Sequence, residues 1–146
     1  MVRAYRRYAA LASGDRRLLV EAIVLLAAIQ ACFRLSSVRN LRRMLSWYAR
    51  VGARPMRPDM TVERVGWALA AAAARIPATC LVQALTADTL LQRRGFVSEV
   101  CLGVRKDGSP ARSFEAHAWV QCENRIVVGA VDDQAGYTVL SRLRAS

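Results

Sequence analysis

This 146-residue chain has one histidine and four cysteines, and no two of the cysteines form a CxxC pair. So sparse a set leaves little room for a zinc site, and no metal or other cofactor is expected. Glycine (8) and proline (4) are also scarce, which excludes collagen-like and low-complexity architectures. The longest apolar run, Leu18–Phe33, spans sixteen residues and is interrupted by Glu21 and Gln30. A membrane span needs about 20 apolar residues, so this run reads first as a buried core helix. Arginines on both flanks leave open a helix lying on a membrane surface. No secretory signal with a small-residue cleavage site is read at the N-terminus. The protein is therefore expected to be cytoplasmic, with its cysteines as free thiols.

Hydrophobic residues make up 54% of the chain, which excludes intrinsic disorder and suits one compact domain with a helical extension. Acids are outnumbered, 11 against 22 basic residues, and Lys106 is the single lysine. Nearly all of this excess lies early: residues 1–77 carry 14 Arg and 4 acids, whereas residues 78–146 carry 8 basic and 7 acidic residues. The first half thus has the charge of a docking surface for an anionic partner, although a solvated face has the same signature. Arginine-rich helices do track phosphates, but these arginines are spread between apolar faces and no nucleic-acid motif accompanies them. No nucleic-acid partner is expected.

Helical spacing dominates up to Ile76-Pro77. Residues 2–12 read as a short basic helix, and Asp15 is a candidate N-cap for the apolar helix that follows. Ser36-Ser37 precede an amphipathic run to Arg50, with Leu41, Met44, Leu45 and Tyr48 on one side. A loop with Gly52, Pro55 and Pro58 leads to Thr61, which opens another helix. Beyond Pro77, Thr79 caps a helix from Cys80 to Arg94, and Gly95 ends it. Strand alternation then takes over in 96–105, 116–122, 125–131 and 137–143, with a tight turn at Glu123-Asn124. The expected fold is α+β, with a basic helical region (1–77) followed by a core of one helix and a small antiparallel sheet (78–146).

Two residues in that core carry chemistry. Cys80 begins a helix, where the positive end of the dipole and unpaired N–H groups favour a thiolate and can hold a developing oxyanion. His117 stands on a strand of the sheet. An imidazole beside the thiol would take its proton and later deliver it to a leaving amine. Taken singly, each residue reads as packing; together, on a helix start and a following strand, they match the Cys-His-Asp arrangement of papain-like and transglutaminase-like sites. Strand parity selects the third member. A two-residue turn at Glu123-Asn124 sets His117 opposite Ala130 and puts Asp132 on the same face, about 7–8 Å away between Cα atoms. A bulge near the turn would select Asp133 instead.

The run Ile76-Pro77-Ala78-Thr79-Cys80-Leu81, then Leu90-Leu91-Gln92-Arg93-Arg94-Gly95, then Ala116-His117-Ala118-Trp119-Val120 resembles the lasso-peptide biosynthesis leader peptidases. These are transglutaminase-like cysteine proteases. The likeness covers residues 60–146, and the helix from Val65-Gly66-Trp67-Ala68 to Ala74-Arg75 fits the same pattern. It implies a peptidase that removes the leader from a ribosomally made precursor, with Cys80 as nucleophile and His117 as base. The freed amine then passes to an ATP-dependent cyclase that closes a macrolactam ring. It further implies the stand-alone protease half of a split pair, whose partner is a separate leader-recognition protein. The family's acid falls shortly after the turn that follows the His strand. This chain has Gly129-Ala130 there, with Asp132 and Asp133 slightly later. The rival reading is a non-enzymatic basic helical adaptor that binds a membrane surface or an anionic partner.

Overall fold

A computed structural model describes residues 13–35, 38–51, 60–106 and 114–144. The elements run α1 (Ser13–Leu35), α2 (Val38–Val51), α3 (Val62–Ala73), α4 (Cys80–Gln92), β1 (Ser98–Lys106), β2 (Phe114–Cys122), β3 (Arg125–Val128), a short 3-10 turn at Gln134–Gly136, and β4 (Thr138–Arg144). The basic helix expected over 2–12 and the expected loop with Gly52, Pro55 and Pro58 lie outside the described residues, as do residues 107–113. The fold is α+β, as the change of periodicity after Pro77 implies.

Local chemistry sets the helix limits. Thr61 accepts the Arg64 N–H at 3.3 Å and Thr79 accepts the Val82 N–H at 3.4 Å, so both threonines cap as their sequence positions imply. Helix α4 stops where Gly95 takes φ +82°, and the Phe96 N–H closes back on the Leu91 carbonyl at 3.1 Å. Asp15 is not a cap. Helix α1 already begins at Ser13, and Asp15 sits in its first turn with its carboxylate on the Arg64 guanidinium of α3.

The four strands form one antiparallel sheet in the order β3-β2-β1-β4. Helix α4 lies between this sheet and α1 and α3, and is buried nearly all round. Its two buried threonines donate to carbonyls one turn back, Thr86 to Val82 at 2.7 Å and Thr89 to Leu85 at 2.8 Å. No polar group of theirs is therefore left unmet. The main core combines Leu18, Leu26 and Ile29 of α1 with Val82 and Leu90 of α4 and Val100 and Val120 of the sheet. Ile76-Pro77 is thus a turn between α3 and α4 within a core built from both sides of it.

At the end of α4, Arg93 and Arg94 are each only 7% exposed and share Glu21 of α1, at 2.9 and 2.7 Å. Arg93 also donates to the Tyr48 carbonyl at 3.0 Å and lies over the Tyr48 ring at 4.1 Å. Arg94 donates to the Leu90 carbonyl at 2.9 Å. The Leu90-to-Gly95 motif is therefore architectural: two core leucines, two arginines tying α4 to α1 and α2, and a glycine stop.

Candidate active site

Cys80 is the first residue of α4 and half-buried against the main core. The Thr79 hydroxyl takes the Val82 N–H and the Thr79 carbonyl takes the Gln83 N–H. The N–H groups of Cys80 and Leu81 precede that ladder, at the positive end of the helix. The other thiols have different surroundings. Cys101 and Cys122 are buried in the sheet, and burial pushes both thiols above the ordinary cysteine range. All four cysteines are unbridged.

The direction of α4 brings its start to the histidine's end of the sheet. Ser98 at the beginning of β1 donates to Asp88 at 2.7 Å, and β1 runs back along the helix that precedes it. From Asp88 to Cys80 the helix covers about 12 Å. Over a similar length, about 16 Å, β1 reaches Gly103, the residue paired with His117 on β2. By these lengths the start of α4 and the Gly103–His117 pair lie at comparable distances from the Asp88–Ser98 bond.

Their side chains belong to different layers. Along β2, Ala118, Val120 and Cys122 pack in the core beneath α4. His117 and Trp119 alternate with them and face the other way, where Trp119 forms a second small core with Cys101 and Tyr137. The imidazole stacks on Trp119 with ring centres 6.0 Å apart and lies 5.5 Å from Tyr137. Trp119 in turn covers Gly103, where a Cβ would stand 2.8 Å from the indole. The buried indole N–H of Trp119 has no hydrogen-bond partner among the described residues. No hydrogen bond joins Cys80 to His117 among the described residues.

His117 Nε2 is held by the Gly129 carbonyl at 2.8 Å. A carbonyl only accepts, so Nε2 carries the proton and Nδ1 keeps the lone pair a base needs. The expected route to an acid is not what the chain follows. Glu123 and Asn124 make the two-residue turn, with φ of 51° and 62°, and Cys122 pairs with Arg125 and Gln121 with Ile126. A bulge then sets Val120 opposite Val128, and β3 ends there rather than at Val131. Gly129 turns away at φ +82°, so the pairing of His117 with Ala130 does not form.

Asp132 and Asp133 follow in an exposed turn. No hydrogen bond or ion pair joins either to His117 among the described residues; Asp133 instead meets Arg105 at 3.2 Å. That arginine also holds Glu115 at 2.6 Å and lies 4.9 Å above the Tyr137 ring. Hydrogen bonding to Arg105, and then to Tyr137, holds the Glu115 carboxyl below the usual range, and the same Glu115 pushes the Tyr137 phenol up. The alternation of β2 places Glu115 with His117. Arg105 and Tyr137 carry no comparable sequence signal, because they stand on β1 and just before β4, segments that the sheet pairing brings together.

A family model described as the transglutaminase-like superfamily matches residues 22–142, which is 121 of the 146. No curated protein and no solved structure matches the chain.

Proposed function

The chain belongs to the transglutaminase-like superfamily, and on that premise we propose that it is a cysteine peptidase acting on the leader of a lasso-peptide precursor. The observation that supports the reading is that Cys80 is the first residue of α4, the helix packed on the sheet, and that His117 stands on β2 of that sheet. Cys80 Sγ attacks the scissile carbonyl, its proton passing to His117 Nδ1, the nitrogen that Gly129 leaves unprotonated. The oxyanion is met by the N–H groups of Cys80 and Leu81. Collapse expels the amine, which takes the proton from His117, and water hydrolyses the remaining thioester by the same base. Because Cys80 packs in the core layer and His117 stacks on Trp119 in the other, the proton transfer between them requires a rearrangement at this end of the sheet when substrate binds.

The lasso-precursor assignment rests on the sequence motifs around Cys80 and His117. So do the partners: a separate leader-recognition protein and an ATP-dependent cyclase in the cytoplasm. The test is cleavage of precursor, followed by mass spectrometry, with and without the leader-binding partner. Cys80→Ala and His117→Ala are expected to abolish cleavage, while Cys101→Ser and Cys122→Ser retain it. Full cleavage by Cys80→Ala overturns the reading. Iodoacetamide labelling gives a substrate-free check, with Cys80 expected to react far faster than the buried Cys101 and Cys122.

A further inference from the structure

Helix α1 is apolar on two sides. One stripe, including Leu18, Ala22, Leu25 and Ile29, fills the main core. The opposite stripe is just as apolar and faces outward: Val20, Val24, Ala27, Ala28, Ala31 and Leu35 are all exposed, Val24 by 61% and Leu35 by 87%. A helix that is apolar all round is ordinarily covered all round. Beside this stripe α2 presents Met44, Trp47 and Val51, with Trp47 also 61% exposed. Between the two helices lies an open groove of about 460 Å³, walled by Val24, Ala28 and Cys32 on one side and Met44, Leu45 and Trp47 on the other. The single carboxylate at its edge, Glu21, is already held by Arg93 and Arg94.

Charge indicates what covers this face. Residues 13–51 carry seven arginines against Asp15 and Glu21, and both acids are paired to arginines from α3 and α4. Arg17 and Arg34 are exposed and bracket the outer stripe of α1 at helical spacing, roughly 26 Å apart along the axis. Arg43 is exposed on α2. A second copy of the chain would set this cationic rim against itself. A protein partner would meet almost no polar anchor within the patch, whereas protein interfaces carry about one hydrogen bond per 100–200 Å². A bilayer with anionic headgroups needs only apolar side chains to insert, a cationic border and interfacial aromatics.

We propose that the α1–α2 face docks on an anionic lipid bilayer. Helix α1 lies in the plane of the interface, with Val24, Leu35, Met44 and Trp47 inserted and Arg17, Arg34 and Arg43 against phosphates. Helix α1 is long and apolar enough to span a membrane by length and composition. Its inner stripe belongs to the protein core, so it lies on the bilayer instead of crossing it. This inference does not depend on the peptidase reading, because its test involves no cleavage.

The test is flotation of the full chain with vesicles of phosphatidylcholine alone or mixed with phosphatidylglycerol, together with tryptophan fluorescence. Binding is expected only with phosphatidylglycerol, accompanied by a blue shift from Trp47 and weakened by salt. Replacing Arg17, Arg34 and Arg43 together by Gln is expected to weaken it on the order of 100-fold. Val24→Glu and Trp47→Glu alter exposed positions, so both variants are expected to stay folded by circular dichroism yet fail to bind. Absence of binding to phosphatidylglycerol vesicles overturns the proposal. So does binding that survives Val24→Glu and Trp47→Glu, or self-association that Val24→Glu abolishes in a protein that ignores vesicles.

Discussion

His117 Nε2 and the Gly129 carbonyl oxygen lie 2.8 Å apart, so a backbone group holds the imidazole, and no carboxylate hydrogen-bonds to it among the described residues. The bond exists because Gly129 leaves the sheet directly after β3, at a φ of +82°. A Cβ at this position would stand 2.7 Å from the Ala118 carbonyl and 2.9 Å from Trp119 Cβ. Only glycine meets both conditions without displacement, and that displacement would move the oxygen His117 depends on.

Gly129→Ala is therefore expected to lower stability by about 1–2 kcal/mol from the left-handed backbone alone, with the close contacts adding to it. Leader cleavage should fall together with the melting temperature. Thermal denaturation and mass-spectrometric cleavage assays check the pair. Wild-type values in both would dissociate Gly129 from the imidazole.

The two aspartates beyond Gly129 provide the contrasting case. With a carbonyl setting the tautomer, Asp132→Asn and Asp133→Asn are both expected to cleave precursor at near wild-type rates. Asp133→Asn loses only an exposed contact to Arg105, an arginine that Glu115 also holds. A severe loss in Asp132→Asn, with the fold intact, would show a carboxylate replacing the carbonyl during turnover.

Glu21 ties α1 to the end of α4 through two buried arginines, one of which also holds the Tyr48 carbonyl of α2. Glu21→Gln leaves both cations poorly compensated, and a loss of roughly 3–5 kcal/mol is expected, read by urea denaturation. Replacing Arg93 and Arg94 by Met in the same background should recover part of that loss, because the burden is unpaired buried charge. A neutral effect of Glu21→Gln would contradict the packing at this end of α4.

Acid sensitivity is predicted at the join between β1 and β4. Hydrogen bonds from Arg144 and Arg142 hold the Glu99 carboxyl below the usual glutamate range, against an opposing effect of burial. A carboxylate with a lowered folded-state pKa adds stability above its unfolded value, about 4.3. That contribution is lost as pH falls through the folded-state value. Both arginines are largely exposed, so it is limited to about 0.5–1 kcal/mol. Glu99→Gln should lower stability at neutral pH by this amount and flatten the decline below about pH 4.3. An unchanged slope in urea melts across that range would remove Glu99 from the acid response.

Much of this architecture is local, and that part was legible in the chain itself. Thr61 and Thr79 cap because a hydroxyl three residues before a free N–H suffices, and Gly95 stops α4 because few residues accept its φ. Periodicity separates the helices from the sheet, and the apolar character of α4 announces a helix buried between layers. The place of Cys80 at that helix start and of His117 on a strand followed from the same local rules.

What surrounds those two residues was decided by the tertiary structure. Strand parity puts Asp132 on the face of His117 only while pairing stays regular beyond the turn, and one bulged residue, Val127, and the early end of β3 break that regularity. A single-residue slip reverses every face downstream, and no local preference in Arg125–Val131 signals it. The Gly129 carbonyl is a backbone group, so no residue type could advertise it as the imidazole's partner. Tyr137, Arg105 and the Glu21–Arg93–Arg94 cluster join segments far apart in the chain. Composition determined that α1 would be apolar; only the packing of α1 against α4 decided which stripe is buried and which stays open to a partner, because burial depends on neighbours that periodicity alone does not name.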